Sequence, residues 1–98
     1  MKRSLSLAAG IGLALTAQAG DPQAGKTKSA ICAACHGAQG ISANPLWPNL
    51  AGQKEEYLIK QMKDFRTGRR QDPTMSPQAA ILTDPDIFDL AAFYSSLR

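Results

Sequence analysis

The run Cys32-Ala33-Ala34-Cys35-His36 decides how the rest of this 98-residue chain is read. Two thiols three positions apart, with an imidazole directly after the second, form the C-x-x-C-H pattern of covalent c-type haem attachment. Each thiol adds across one vinyl group of a rigid porphyrin, so the ring itself sets the thiol spacing. The histidine then falls under the iron, where its imidazole can serve as an axial ligand. A thioredoxin-like dithiol is expected in a βαβ setting, which the remaining sequence does not offer. A structural zinc site needs four ligands, and the chain has two cysteines and one histidine in all. A disulfide or free dithiol is the remaining alternative.

Upstream of the motif, Lys2 and Arg3 precede an apolar stretch from Leu5 to Leu15, and Ala17-Gln18-Ala19 supplies a small-x-small cleavage pattern. Together these read as a cleaved signal peptide over residues 1–19, with one small domain over 20–98. The apolar stretch is shorter than the roughly 20 residues a bilayer span needs. Export to the periplasm follows, an oxidising compartment in which a C-x-x-C pair is exposed to disulfide formation unless thioether bonds remove both thiols. Losing Lys2 and Arg3 leaves nine of the eleven basic residues against eight acidic ones, so the formal balance falls from +3 to +1. Two ionised haem propionates would carry it to about −1. Nothing in that balance suggests a nucleic-acid partner.

A domain of this size buries too little apolar surface to be secure alone and usually needs a staple. A covalently held haem is such a staple, so the chain without it is expected to be poorly ordered. The mature segment reads as all-α, with short helices joined by loops. Asp21-Pro22 is a helix start, with Asp as cap and Pro at the first helical position. The pattern carries that helix through Gly25 and Ala30 toward Ile31, delivering the chain to Cys32. Residues 37–52, rich in Gly, Asn and Pro, read as a loop. From Gln53 to Arg66, Leu58, Met62 and Phe65 recur at helical spacing. Glu55 and Glu56 occupy the first turn and Lys63 and Arg66 the last, matching the helix dipole. Gly68 ends the helix. A loop then runs to Ser76-Pro77, which opens a short helix to Ile81. Thr83-Asp84-Pro85 opens a last helix, with Thr83 or Asp84 as cap and Ile87, Leu90, Tyr94 and Leu97 as its apolar stripe.

The sixth iron position decides the function. His36 is the only histidine, which excludes bis-histidine ligation within one chain. Met62 lies in the stripe of Leu58 and Phe65, where methionine commonly fills core. Met75 sits in Asp72-Pro73-Thr74-Met75-Ser76-Pro77, a loop bracketed by prolines that can hold a thioether at a fixed place. Met75 is therefore the expected sixth ligand, with an apolar plug beside the haem edge as the plainer role. Lys60, Lys63, Arg66, Arg69 and Arg70 cluster around a single Asp64, while Asp84, Asp86 and Asp89 crowd the start of the last helix. The basic cluster is either a solvated helix face or a docking patch, and Arg69 or Arg70 could pair with a propionate.

The sequence resembles the small bacterial monohaem class I c-type cytochromes. The matching stretches are Gly20-Asp21…Gly25-Lys26, the C-x-x-C-H run, Trp47-Pro48-Asn49-Leu50-Ala51-Gly52-Gln53, Asp72-Pro73-Thr74-Met75-Ser76-Pro77, and Asp86 to Tyr94, which together cover nearly all of residues 20–98. The resemblance implies a class I cytochrome c fold, with short helices wrapped around one covalently attached haem c. It implies that Cys32 and Cys35 carry the haem and that His36 and Met75 bind the iron. It further implies that the Pro48 carbonyl accepts a hydrogen bond from His36, and that Gly25 and Phe93 mark the crossing of the first and last helices.

The implied activity is one-electron transfer without catalysis. The implied partners are redox proteins: a membrane oxidase or reductase complex met transiently, or a periplasmic dehydrogenase or reductase. The expected form is a monomeric shuttle. A fixed subunit of a redox enzyme and a haem enzyme or gas sensor are the competing classes, and an occupied sixth position argues against the last.

Overall fold

The computed structural model describes residues 20–97. The expected signal peptide, residues 1–19, lies outside the described residues. Five helices follow in order: α1, Pro22–Lys28; α2, Ala30–His36; α3, Glu55–Thr67; α4, Met75–Ala80; and α5, Asp84–Ser96. No strand occurs among the described residues.

The first helix is not continuous. Asp21 caps α1 by accepting the Gln23 N–H at 2.9 Å, with Pro22 at the first position. At Ser29 the chain turns before α2 begins, so the haem motif lies inside a second helix and not at the end of the first. The buried Ser29 side chain provides the reason: its hydroxyl donates to the Lys26 carbonyl at 2.7 Å, competing with the helical ladder. Gly37, at φ 84°, then ends α2 in a conformation that disfavours any side chain.

The long helix begins at Glu55, two residues later than its apolar spacing suggests, and Gly68 ends it at φ 82°. Of the two candidate caps for the last helix, Thr83 is the one used. Its hydroxyl accepts the Asp86 N–H at 3.2 Å, while the Asp86 carboxylate accepts the Thr83 N–H at 3.0 Å, a reciprocal capping box.

Helix α5 is the spine. It packs against α1 on one side and α3 on another, while α4 packs on α3. Ile87, Leu90 and Ala91 are essentially fully buried, and the two large side chains each contribute about 2 kcal/mol through burial. The α1–α5 crossing has no room for a side chain at Gly25. A Cβ there would stand 2.0 Å from the Asp89 carbonyl oxygen and 2.7 Å from the Phe93 Cβ. Charge closes the same crossing: Lys28 Nζ lies 2.7 Å from Asp89 and 2.9 Å from Asp86, and Asp89 also accepts the Asp21 N–H at 2.9 Å.

Candidate haem site

Helix α2 presents Cys32, Cys35 and His36 to a cavity of about 450 Å³, which the 37–54 loop, α3, α4 and α5 complete. Pro48 and Met75 line the same cavity, so all five residues singled out from the sequence share one site. Both cysteines are half-buried and unpaired. Burial pushes the Cys32 thiol above its ordinary range, outweighing the opposite effect of a neighbouring Tyr94.

His36 is buried, and its Nδ1 lies 2.8 Å from the Pro48 carbonyl oxygen. A carbonyl can only accept, so the Nδ1–H donates and the neutral ring keeps its lone pair on Nε2. The loop carrying Pro48 is fixed by its own polar side chains. Asn49 Oδ1 accepts the Ser42 N–H at 2.7 Å, and Asn44 Oδ1 accepts the Leu46 N–H at 2.9 Å. The Gly40 carbonyl accepts from both Leu50 and Ala51, at 2.8 and 3.0 Å. A last bond, from the Gly52 N–H to the Tyr94 carbonyl at 3.0 Å, ties the loop to α5.

Met75 does not sit in a free loop as its flanking prolines suggest; it is the first residue of α4. Asp72 is the reason. One of its carboxylate oxygens accepts the Met75 N–H at 2.8 Å and the Thr74 N–H at 2.9 Å, and its own N–H donates to the Ser76 hydroxyl at 3.0 Å. The two accepted bonds, Met75 first, hold the Asp72 carboxyl below its ordinary pKa of 3.8. Met62 also lines the cavity, while packing against the core around Leu58 and Leu90.

Much of the remaining lining is apolar, and part of it is exposed. Leu46 is 84% exposed, Ile31 53%, Tyr57 47% and Trp47 40%. A flat, largely apolar macrocycle fits such a wall. Its two vinyl groups match the thiols of α2, and its iron matches the imidazole and thioether donors. Arg70 lines the cavity with its guanidinium 4.5 Å from the centre of the Phe65 ring and Nη1 bonded to Gln61 at 2.6 Å. Arg69 is exposed and lies 3.9 Å from Asp64.

Much of the basic cluster is already engaged: Lys60 with Asp64 at 2.6 Å, Arg66 with Asp84 at 2.7 Å, and Lys63 over the Phe88 ring at 5.2 Å. That pairing favours the solvated-face reading of the cluster over a dedicated docking patch.

Sequence reasoning missed Tyr94 as a site residue. It reads as part of an apolar stripe, yet it lines the cavity beside Cys32 and is only 3% exposed. Its hydroxyl is buried and has no hydrogen-bond partner among the described residues, an omission that costs about 1–3 kcal/mol for a buried polar group. Burial, then the neighbouring Cys32, raises the phenol far above its ordinary pKa, so it keeps its proton. The available signal was a phenol in place of an aliphatic residue within that stripe.

Residues 22–98 match the cytochrome c family profile. The chain is 52% identical over 80 residues to cytochrome c4 of Thiocapsa roseopersicina, covering 81% of this chain and 41% of that protein. It is 46% identical over 81 residues to cytochrome c-554(548) of Halomonas halodenitrificans, covering 80% of this chain and 98% of that one. Among solved structures, reduced recombinant cytochrome c4 from Pseudomonas stutzeri superposes with a TM-score of 0.78 at 42% identity, covering 82% of this chain and 47% of that one. The chain thus spans about half the length of the cytochrome c4 relatives it matches.

Proposed function

The chain belongs to the cytochrome c family, and on that premise we propose that it is a periplasmic one-electron carrier whose single haem c is held by Cys32 and Cys35 and ligated by His36 and Met75. When bound, the haem supplies a one-electron Fe(II)/Fe(III) couple. The observation that carries the reading is the convergence of both thiols, the imidazole and the Met75 thioether on one apolar cavity.

Within that site, Pro48 holds the His36 ring in the tautomer that leaves Nε2 free to bind metal. Asp72 anchors the backbone of Met75 at the start of α4. The thioether is a soft donor that favours the reduced state, and the apolar wall of Leu46, Trp47 and Leu58 disfavours the additional charge of the oxidised one. Both effects raise the potential, which we expect to be moderately positive. With His36 and Met75 both holding the iron, no position would be left for a substrate, which suits a carrier and not an enzyme. Arg70, poised over Phe65 at the cavity, is the better of the two candidate propionate partners.

The partners are redox proteins met transiently, membrane complexes among them, with the carrier a monomer. The leader over residues 1–19 is removed on export, leaving a domain from Gly20 whose secreted mass would include one haem.

The test is the red sulfur-to-iron charge-transfer band of the oxidised protein. It should be present in the wild type, lost in Met75→Ala with a large fall in potential and new binding of carbon monoxide to the reduced form, and kept in Met62→Ala. A band that survives Met75→Ala and disappears in Met62→Ala assigns the ligand to α3 instead.

A further inference from the structure

We propose that the Tyr94 hydroxyl donates a hydrogen bond to the Cys32 sulfur once that sulfur is in thioether linkage, and that this bond raises the affinity of the haem for its electron. The inference rests on the reading that Cys32 carries the haem.

Tyr94 is held too firmly to seek a partner elsewhere. A Cβ at Gly40 would stand 3.1 Å from its Cδ1, so the bare backbone of that glycine lies against the phenol ring. The Phe93 ring packs against it, with centroids 5.0 Å apart. Its backbone carbonyl accepts the Gly52 N–H at 3.0 Å. The phenol therefore stays at the cavity wall with a buried hydroxyl that no described group satisfies, a state that folded proteins seldom tolerate without a reason.

Cys32 packs against the cluster that contains Tyr94 and lines the same cavity, and Ser29 is the other polar side chain beside the hydroxyl. The Ser29 hydroxyl donates its one hydrogen to the Lys26 carbonyl at 2.7 Å, so it has none left for the phenol oxygen. As an acceptor it is the rival that the Ser29→Ala variant below tests. Chemistry then fixes the direction at Cys32. A free thiol can donate or accept weakly. On addition to the vinyl group, a bond forms between sulfur and one vinyl carbon while the thiol hydrogen passes to the other. The sulfur left behind has lone pairs and no hydrogen, so it can only accept, and the phenol, which keeps its proton, must donate.

That O–H dipole has its positive end toward a sulfur bonded to the edge of the macrocycle. It is inside an apolar environment, where such a dipole is poorly screened. It favours the state with one less positive charge, which is the reduced one.

The experiment compares the haem-loaded wild type with Tyr94→Phe, which keeps the ring and its packing. Loss of the hydroxyl should lower the midpoint potential by a threefold change in the oxidised-to-reduced ratio, or about 30 mV for a one-electron couple at 59 mV per tenfold. In resonance Raman spectra, the carbon–sulfur stretch of the wild type should shift between H₂O and D₂O, a measurement that needs no variant, and Tyr94→Phe should abolish that sensitivity. Ser29→Ala should leave both readouts unchanged.

The proposal is overturned by an unchanged potential in Tyr94→Phe, even if that variant melts earlier, by a stretch insensitive to deuterium, or by a Ser29→Ala variant that reproduces the effect. Intact mass separates this from the larger reading. A product lacking covalently bound haem refutes the site itself, whereas haem-loaded protein with an inert Tyr94 refutes only the hydrogen bond.

Discussion

The α1–α5 crossing and the wall of the cavity share helix α5 and are closed in opposite ways. At the crossing, protein meets protein: Gly25 lies against the Asp89 carbonyl and the Phe93 side chain, and Lys28 joins α1 to two carboxylates of α5. At the cavity, Leu46, Trp47, Ile31 and Tyr57 present apolar surface that no other part of the described chain covers. The first region is self-sufficient. The second is a mould whose side chains are organised by backbone hydrogen bonds in the 37–54 loop and by Asp72, and whose apolar burial awaits a partner of matching shape. The contrast teaches that this small domain divides its core into one part made of protein and one part completed by its cofactor.

Breaking the self-sufficient half should have the largest consequence. Gly25→Val places carbon where the Asp89 carbonyl stands, at 2.0 Å even for the first atom. Because the obstacle is backbone, the helices must separate, at a cost of about 3 kcal/mol or more, the upper end for overpacking. Haem-loaded protein should fail to accumulate or should melt far earlier, as followed by circular dichroism. A Gly25→Val variant with wild-type melting would show that the crossing is looser than the cavity wall.

Disturbing the mould should have an intermediate effect, confined to the cavity side. Asp72→Ala removes the acceptor of the Thr74 and Met75 N–H bonds, so external imidazole should displace the proposed Met75 ligand faster, as read from stopped-flow absorbance, while the α1–α5 contacts persist. The same carboxylate predicts the acid response. Its folded pKa lies below 3.8, as do those of Asp84 beside Arg66, Asp86 bonded to the Thr83 N–H and Lys28, and Asp89 beside Lys28. A depressed carboxylate stabilises the fold above its unfolded pKa and ceases to do so as pH falls through the folded value. Acid titration should therefore leave stability level above that range and lower it only below about pH 3.8.

The smallest effect is expected from Lys28→Met, which removes the charged clasp of the crossing but not its packing. Exposed ion pairs contribute little, so melting should move slightly and the potential not at all. The Lys28 pKa is raised, first by Asp89 and then by Asp86. Its contribution is complete below 10.5 and is lost as pH rises through the folded value, so wild type and variant should converge in strongly alkaline buffer. A variant that shifts the potential would show that the two regions communicate through this clasp.

The residues Cys32, Cys35 and His36 could be read directly because covalent attachment demands fixed types at fixed spacing, and such a demand is local. Helices α3 and α5 were nearly as legible, since apolar period, acidic first turns and Gly68 lie within a few residues of one another, though the start of α3 at Glu55 and the choice of Thr83 over Asp84 as cap came from the structure. The break at Ser29 was not, because it depends on a buried hydroxyl turning back on Lys26. The placement of Met75 inside α4 was missed for a related reason: the prolines advertise a loop, and the cap that starts the helix is an aspartate outside it.

What the sequence determined by itself is the chemistry of attachment and the periodic helices, both encoded by neighbours along the chain. Only the tertiary structure decided that Pro48 meets His36, that Arg66 pairs with Asp84, and that a tyrosine in an apolar stripe leaves its hydroxyl beside Cys32. Each of those is a meeting of residues from separate segments, and distance along a chain carries no information about it until helices and loops have packed.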